Sequence, residues 1–282
     1  MMWHIIGKNS YIALRLLQRI EGKREILCYA RHGGPDSIPL DLADPKPEDV
    51  QYMKPGDYVV LFAAVSSPDE CERHYESSYA INVSGTKALI ERCIAQGANV
   101  LFFSSDVVVG ATEKAADEHA PVHPVGKYGA MKRMIEEMFC GEQKFKTFRL
   151  SYVFSRQDKF FKYLQSCRES GQLADVFDAL YRNVIYVEDV IDGIIALSES
   201  FMSWDTSVFH ASGKELLSRK DLAELYRREV DPDFRFTVSV PEQAFFTARP
   251  NVIETKSLYF SDLIGRCPTS IGNAIHQEFD LD

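Results

Sequence analysis

Short apolar runs rich in Val, Ile and Phe alternate with longer amphipathic stretches through the first half of the chain. That alternation constrains the fold more than any other feature, because buried strands joined by crossover helices build βαβ units. Trp3 to Ile6 is a compact apolar run ending at Gly7, and Ile12, Leu16, Leu17 and Ile20 then recur at helical spacing between Ser10 and Ile20. Further strands are predicted at Glu25 to Ala30, Tyr58 to Ala64, Asn99 to Phe103 and Thr147 to Phe154, with helices at Ala80 to Gln96 and Tyr128 to Phe139. Right-handed crossovers bury such strands on both faces, so the expected fold is α/β, a doubly wound parallel sheet of Rossmann type.

Past residue 155 the pattern loosens. Helices are predicted at Lys159 to Glu169, Val190 to Glu199 and Ser218 to Glu229, and a strand at Asn183 to Val187. The expected division is a dinucleotide-binding domain over 1–155 and a smaller mixed lobe over 156–282, with the strand and helix near 183–199 rejoining the main domain. Without an internal repeat or a long linker, the two are expected to share an interface.

Composition narrows the function classes. A chain of 282 residues, 45% of them hydrophobic, can bury a sizeable core. It carries 32 Lys plus Arg against 41 Asp plus Glu and no basic run, which argues against nucleic acid as a partner. No apolar run approaches the roughly 18 to 20 residues that cross a bilayer, and polar residues interrupt the apolar pattern at the start. A cytoplasmic location is therefore expected. The six cysteines are scattered without a C-x-x-C pair, so neither a disulfide framework nor a metal site is expected.

Three segments carry chemistry. Gly7-Lys8-Asn9-Ser10-Tyr11-Ile12-Ala13 has small residues at every third position, where a dinucleotide fold lets backbone approach a pyrophosphate at a helix N-terminus. Only the first of the three is glycine, and an ordinary tight turn is the plainer reading. Tyr128 and Lys132 stand four apart on one helix face, where an ammonium favours the phenolate and makes a usable proton donor or acceptor. Phe102-Phe103-Ser104-Ser105-Asp106 ends a strand with hydroxyls, roughly two dozen residues earlier. A solvated helix face is the plainer reading of the Tyr and Lys taken alone.

In this order and spacing the chain resembles, nearly end to end, the extended short-chain dehydrogenase/reductase family, particularly its nucleotide-sugar branch. Carrying segments include Leu40-Asp41-Leu42, Leu61-Phe62-Ala63-Ala64, Asn82-Val83-Ser84-Gly85-Thr86, Arg149-Leu150 and Arg182 to Val190, besides the three above. Ala248-Arg249-Pro250 followed by Ser257-Leu258 resembles the dTDP-4-dehydrorhamnose reductase branch. The resemblance implies Tyr128 as catalytic acid/base, Lys132 as the residue that lowers its pKa and holds the nicotinamide ribose, and Ser105 as donor to the substrate carbonyl. It implies cofactor contacts from Gly7, Lys8, Asn9, Ser10, Tyr11 and Ile12, and from Ala63, Ala64, Ser104 and Ser151. Asp41 and Leu42 would border the adenine, and Asn82 would fix the helix and cofactor region, although Asn82 could also cap its helix and Asp41 serve a turn. The second strand ends in Arg31 with no carboxylate, which with Lys8 nearby favours NADP, NAD remaining possible. Asp106, Arg182 and Arg249 would meet the substrate, the two guanidiniums at its diphosphate.

Departures from the family pattern narrow the reaction. Asp106 is followed by Val107, not by the glutamate that sugar dehydratases carry. No cysteine lies between Cys93 and Cys140 and no histidine between His123 and His210, so the proton-moving pair of the combined epimerase-reductases is missing. The expected activity is NAD(P)H-dependent reduction of a nucleotide-linked 4-keto-6-deoxy sugar. The alternatives are a sugar-nucleotide 4-epimerase with tightly bound NAD and a non-catalytic NADP-binding regulatory subunit. Helices at 80–96 and 128–139 would pair two copies into a homodimer.

Overall fold

The buried apolar runs assemble into one central parallel sheet. The computed structural model describes residues 1–281. In chain order the first half runs β1 (Trp3–Ile6), α1 (Tyr11–Ile20), β2 (Ile26–Ala30), β3 (Ile38–Pro39), β4 (Tyr58–Leu61), α2 (Pro68–Arg73), α3 (Tyr75–Tyr79), α4 (Thr86–Ala95), β5 (Asn99–Ser105), α5 (Gly126–Met138) and β6 (Phe145–Leu150). The second half adds β7 (Val153–Phe154), α6 (Lys159–Ser170), β8 (Ala174–Phe177), β9 (Tyr181–Tyr186), α7 (Val187–Ser200), β10 (Val208–Ala211), β11 (Glu215–Leu217), α8 (Arg219–Glu229), β12 (Phe236–Ser239), β13 (Val252–Ile253), α9 (Phe260–Ile264) and α10 (Ile271–Glu278). The main sheet has seven strands in the order β10-β6-β5-β4-β1-β2-β3, every neighbouring pair parallel. Strand order reverses between β1 and β4, so a crevice opens at their carboxyl ends, where open α/β sheets take ligands.

Strand alternation feeds two cores. Tyr58 and Val60 of β4 pack with Leu16 of α1 and Ile194 of α7, while Val59 and Leu61 pack with Leu89 of α4 and Ile135 of α5. Ahead of α4 lies a π-helical turn over Ala80–Gly85. Gly85 is required there, since a Cβ on it would meet the Leu42 carbonyl oxygen at 1.6 Å. A buried ion pair ties α5 to β6: Glu136 accepts from Arg149 Nη2 at 2.7 Å and from Nε at 3.0 Å, and Arg149 Nη1 lies 3.2 Å from His210 Nε2 on β10.

Two expectations about connectivity change. The strand near 183 does not rejoin the main sheet: β9 lies in a second sheet, antiparallel to β11 and parallel to β7 and β13. The main sheet's seventh strand is β10 instead, and α7 alone of that segment packs back on the main body, against α1. The run predicted as one strand from Thr147 to Phe154 is two, because the chain leaves β6 after Leu150 and enters the second sheet at Val153. Ser151 and Tyr152 are thereby carried across the mouth of the crevice.

Candidate active site

The crevice holds a cavity of about 1030 Å³ whose walls come from both halves of the chain. Its floor is the first turn. Gly7 has φ +89°, and a Cβ there would come within 2.7 Å of the Ala63 amide nitrogen, so only glycine lets the turn cross the end of β4. Ser10 precedes α1 in extended conformation and no side chain caps the helix. The first-turn amides, which have no intrahelical partner, are left for a ligand beside Asn9, Ser10, Tyr11 and Ile12.

Most of the sequence-predicted residues converge on this cavity. Arg31, Asp41 and Leu42 line one end, Ala63 and Ala64 follow β4, and Ser104, Ser105, Tyr128, Lys132 and Ser151 line the other. Arg31 is exposed and faces Asp41 across 3.6 Å. The Ser104 hydroxyl is buried without a hydrogen-bond partner.

Five of the predicted residues, Lys8, Asn82, Asp106, Arg182 and Arg249, stand behind the wall or outside it. Lys8 points away and donates to the Asp36 carbonyl at 3.3 Å. Asn82 is buried; its side-chain oxygen accepts from the Val65 amide at 2.8 Å and its nitrogen donates to the Val65 carbonyl at 2.9 Å. It thus clamps the loop that carries Ala63 and Ala64, and it does not cap its helix. Asp106 is buried and accepts from Ser105 Oγ at 3.2 Å and Ser151 Oγ at 3.1 Å. Burial pushes its carboxyl above the ordinary range, against the opposing pull of Arg182 and the two hydroxyls.

The two arginines expected at a diphosphate do not share a cavity. Arg182 stands 3.5 Å from Asp106 and donates to the carbonyls of Tyr181 and Pro250, both at 2.7 Å. It is absent from the wall of the large cavity. Arg249 pairs with Asp69 and lines a separate cavity of about 480 Å³ with Glu72 and Lys127.

The expectation for Tyr128 is corrected. Burial pushes its phenol well above the usual tyrosine range, with Cys71 and Asp106 adding to the rise. Any lowering by Lys132, 5.8 Å from the ring centroid, does not offset that rise. The Lys132 ammonium donates to the Phe103 carbonyl at 2.8 Å, lies 4.6 Å from the Phe102 ring centroid, and is itself brought down to about 8 by burial. Desolvation is the largest cause for both groups and favours the neutral form of each.

The sequence reading missed the far wall. Tyr152, at the crossing between the two sheets, and Gln157, Asp158, Lys159, Phe160, Tyr163 and Arg219, from beyond it, reach the cavity. Local signals that point to this wall are helix caps: Asp158 accepts from the Phe160 amide at 2.8 Å and the Phe161 amide at 3.0 Å, and Ser218 with Asp221 forms a capping box at the start of α8. Among the described residues, no group of three or more His, Cys, Asp or Glu side chains could hold a metal ion, and no helix is long and apolar enough to cross a membrane.

The family described as RmlD substrate binding domain matches residues 1–251. The chain belongs to that family. The RmlD-like chain is 27% identical over 176 residues to the spore coat polysaccharide biosynthesis protein SpsK of Bacillus subtilis, covering 61% of each. It is 23% identical over 201 residues to a dTDP-4-dehydrorhamnose reductase of Mycobacterium tuberculosis, covering 68% of this chain and 65% of the relative. It therefore matches less than two thirds of the length of these curated relatives. A solved dTDP-4-dehydrorhamnose reductase of Clostridium acetobutylicum superposes with a TM-score of 0.84 at 20% identity, over 100% of this chain and 99% of that one. The fold is thus the Rossmann-like α/β arrangement of that structure.

Proposed function

We propose that this chain is a nicotinamide-dependent oxidoreductase that reduces the keto group of a nucleotide-linked sugar of the 4-keto-6-deoxy type. The observation that carries the reading is the convergence of Tyr128, Lys132 and Ser105 with the Gly7 to Ile12 turn on one cavity. The relative named dTDP-4-dehydrorhamnose reductase supports the substrate class. The residues fit a dinucleotide: uncapped α1 amides for its diphosphate, Asp41 and Leu42 at the adenine end, and the unpartnered Ser104 hydroxyl. When bound, the cofactor would supply a hydride.

The chain's own residues then manage the proton. A phenol held neutral by burial is the form needed in the reducing direction, so Tyr128 donates to the developing alkoxide. Lys132, mostly charged below its pKa of about 8, stabilises the phenolate that is left. Ser105 donates its proton to Asp106 in this structure and would turn it to the carbonyl oxygen when substrate is bound, and Arg182 balances Asp106. Arg31, directly after β2, favours NADP over NAD, with Asp41 facing it at 3.6 Å from the loop beyond β3. Pairing of two copies across α4 and α5 belongs to the same reading.

The test is consumption of NADPH with a dTDP-linked 4-keto-6-deoxy sugar. Tyr128→Phe is expected to lower kcat by on the order of 10² to 10⁴ while NADPH still binds. Cofactor binding with no keto-sugar-dependent oxidation in the wild type would overturn the reading in favour of the regulatory one, and sugar inversion without net oxidation would favour the epimerase.

A further inference from the structure

Arg219 opens α8 and reaches the large cavity from the smaller lobe. Its guanidinium carbon lies 3.8 Å from the Tyr152 ring centroid and 4.9 Å from that of Phe160. Among the described residues, nothing pairs with this cation. Its Nη1 is buried with no hydrogen-bond partner. Asp158, the carboxylate whose charge it opposes, is already engaged by the Tyr152 hydroxyl at 2.6 Å and by the amides of Phe160 at 2.8 Å, Phe161 at 3.0 Å and Ser155 at 3.1 Å. Arg31, the other arginine on the cavity wall, does have a carboxylate facing it, Asp41 at 3.6 Å.

A guanidinium carries five donors in a fixed fork, and the two rings hold that fork in one orientation. Left half-desolvated without an anion, such a group is costly; an incoming phosphoryl group would complete it. The volume it faces is bounded by the uncapped start of α1, and Tyr11 at that start lies within reach of the Arg219 charge. The arginines expected to serve a diphosphate are spoken for elsewhere, Arg182 by Asp106 and backbone carbonyls and Arg249 by Asp69.

We propose that Arg219 binds a phosphoryl group of a diphosphate ligand in this cavity, an inference that rests on the function proposed above and names the residue that anchors its ligand. The diphosphate belongs to the cofactor or to the nucleotide sugar, and the two sources are separable. Calorimetric dissociation constants for NADPH and for dTDP would be measured on the wild type, Arg219→Gln and Arg219→Lys, at low and moderate salt. Arg219→Gln is expected to weaken one probe about tenfold or more, with a shallower salt dependence and partial recovery in Arg219→Lys. Loss confined to NADPH assigns the cofactor's diphosphate; loss confined to dTDP assigns the sugar nucleotide's. Wild-type affinity of Arg219→Gln for both probes, even with a lowered melting temperature, overturns the inference and leaves the proposed function standing. A wild-type chain that binds neither probe overturns both.

Discussion

At the scale of single residues, burial sets the chemistry of Tyr128 and Lys132 more than their mutual attraction does. The spacing of the two was legible, because four residues along a helix put both on one face. The direction of the tyrosine shift was not, because desolvation arises from strands and loops distant in sequence, including Phe102 and Phe103 around Lys132. The consequence is a pH dependence carried by the lysine. With Lys132 near 8 and Tyr128 above its usual range, kcat/KM for ketone reduction is expected to hold from pH 6 to 7 and to fall as pH rises through about 8, where the ammonium that stabilises the phenolate is lost. A pH profile flat to 9.5 would contradict this. Asn82 teaches the same lesson: the resemblance implied a role in fixing the helix and cofactor region with a helix cap as the alternative, and only the fold reveals that it clamps Val65.

Elements differ in how well they announced themselves. Strands β1, β2, β4 and β5 were visible as short apolar runs, whereas β6 was read two residues late and run on into β7 because Lys146, Thr147 and Arg149 interrupt its apolar pattern. Strands β3 and β13 have two residues each, too few for a period to register, while β8 and β12, four residues long like β1 and β4, break their apolar runs with exposed Asp175 and Thr237. The existence of β9 was readable, but nothing local in a strand records which sheet it joins. Helix α5, which carries Tyr128 and Lys132, is held against β6 and β10 by Glu136, Arg149 and His210. Arg149→Ala would leave the buried Glu136 carboxylate with only its longer 3.4 Å contact to Arg133 and is expected to cost about 3 kcal/mol in urea unfolding, whereas pairing Arg149→Met with Glu136→Leu should return most of the loss. Equal destabilisation by the single and double replacements would show that the ion pair is not what seats the helix.

On the scale of the whole molecule, the candidate cavity is a junction. The half legible in sequence contributes the turn at Gly7, the hydroxyls at the end of β5 and the Tyr and Lys of α5. The other half arrives because the chain crosses between sheets at Ser151 and Tyr152, bringing Asp158, Phe160 and Arg219 over the crevice. Such long-range placement leaves no periodic trace, so the far wall stayed hidden while the near wall did not. The most direct test of hydride transfer in this cavity uses NADPH carrying deuterium in its transferable position at nicotinamide C4, incubated with a dTDP-linked 4-keto-6-deoxy sugar. The expected result is one deuterium on the former carbonyl carbon of the product for each NADP formed. Product without deuterium, or a sugar altered while NADPH returns unoxidised, would contradict it.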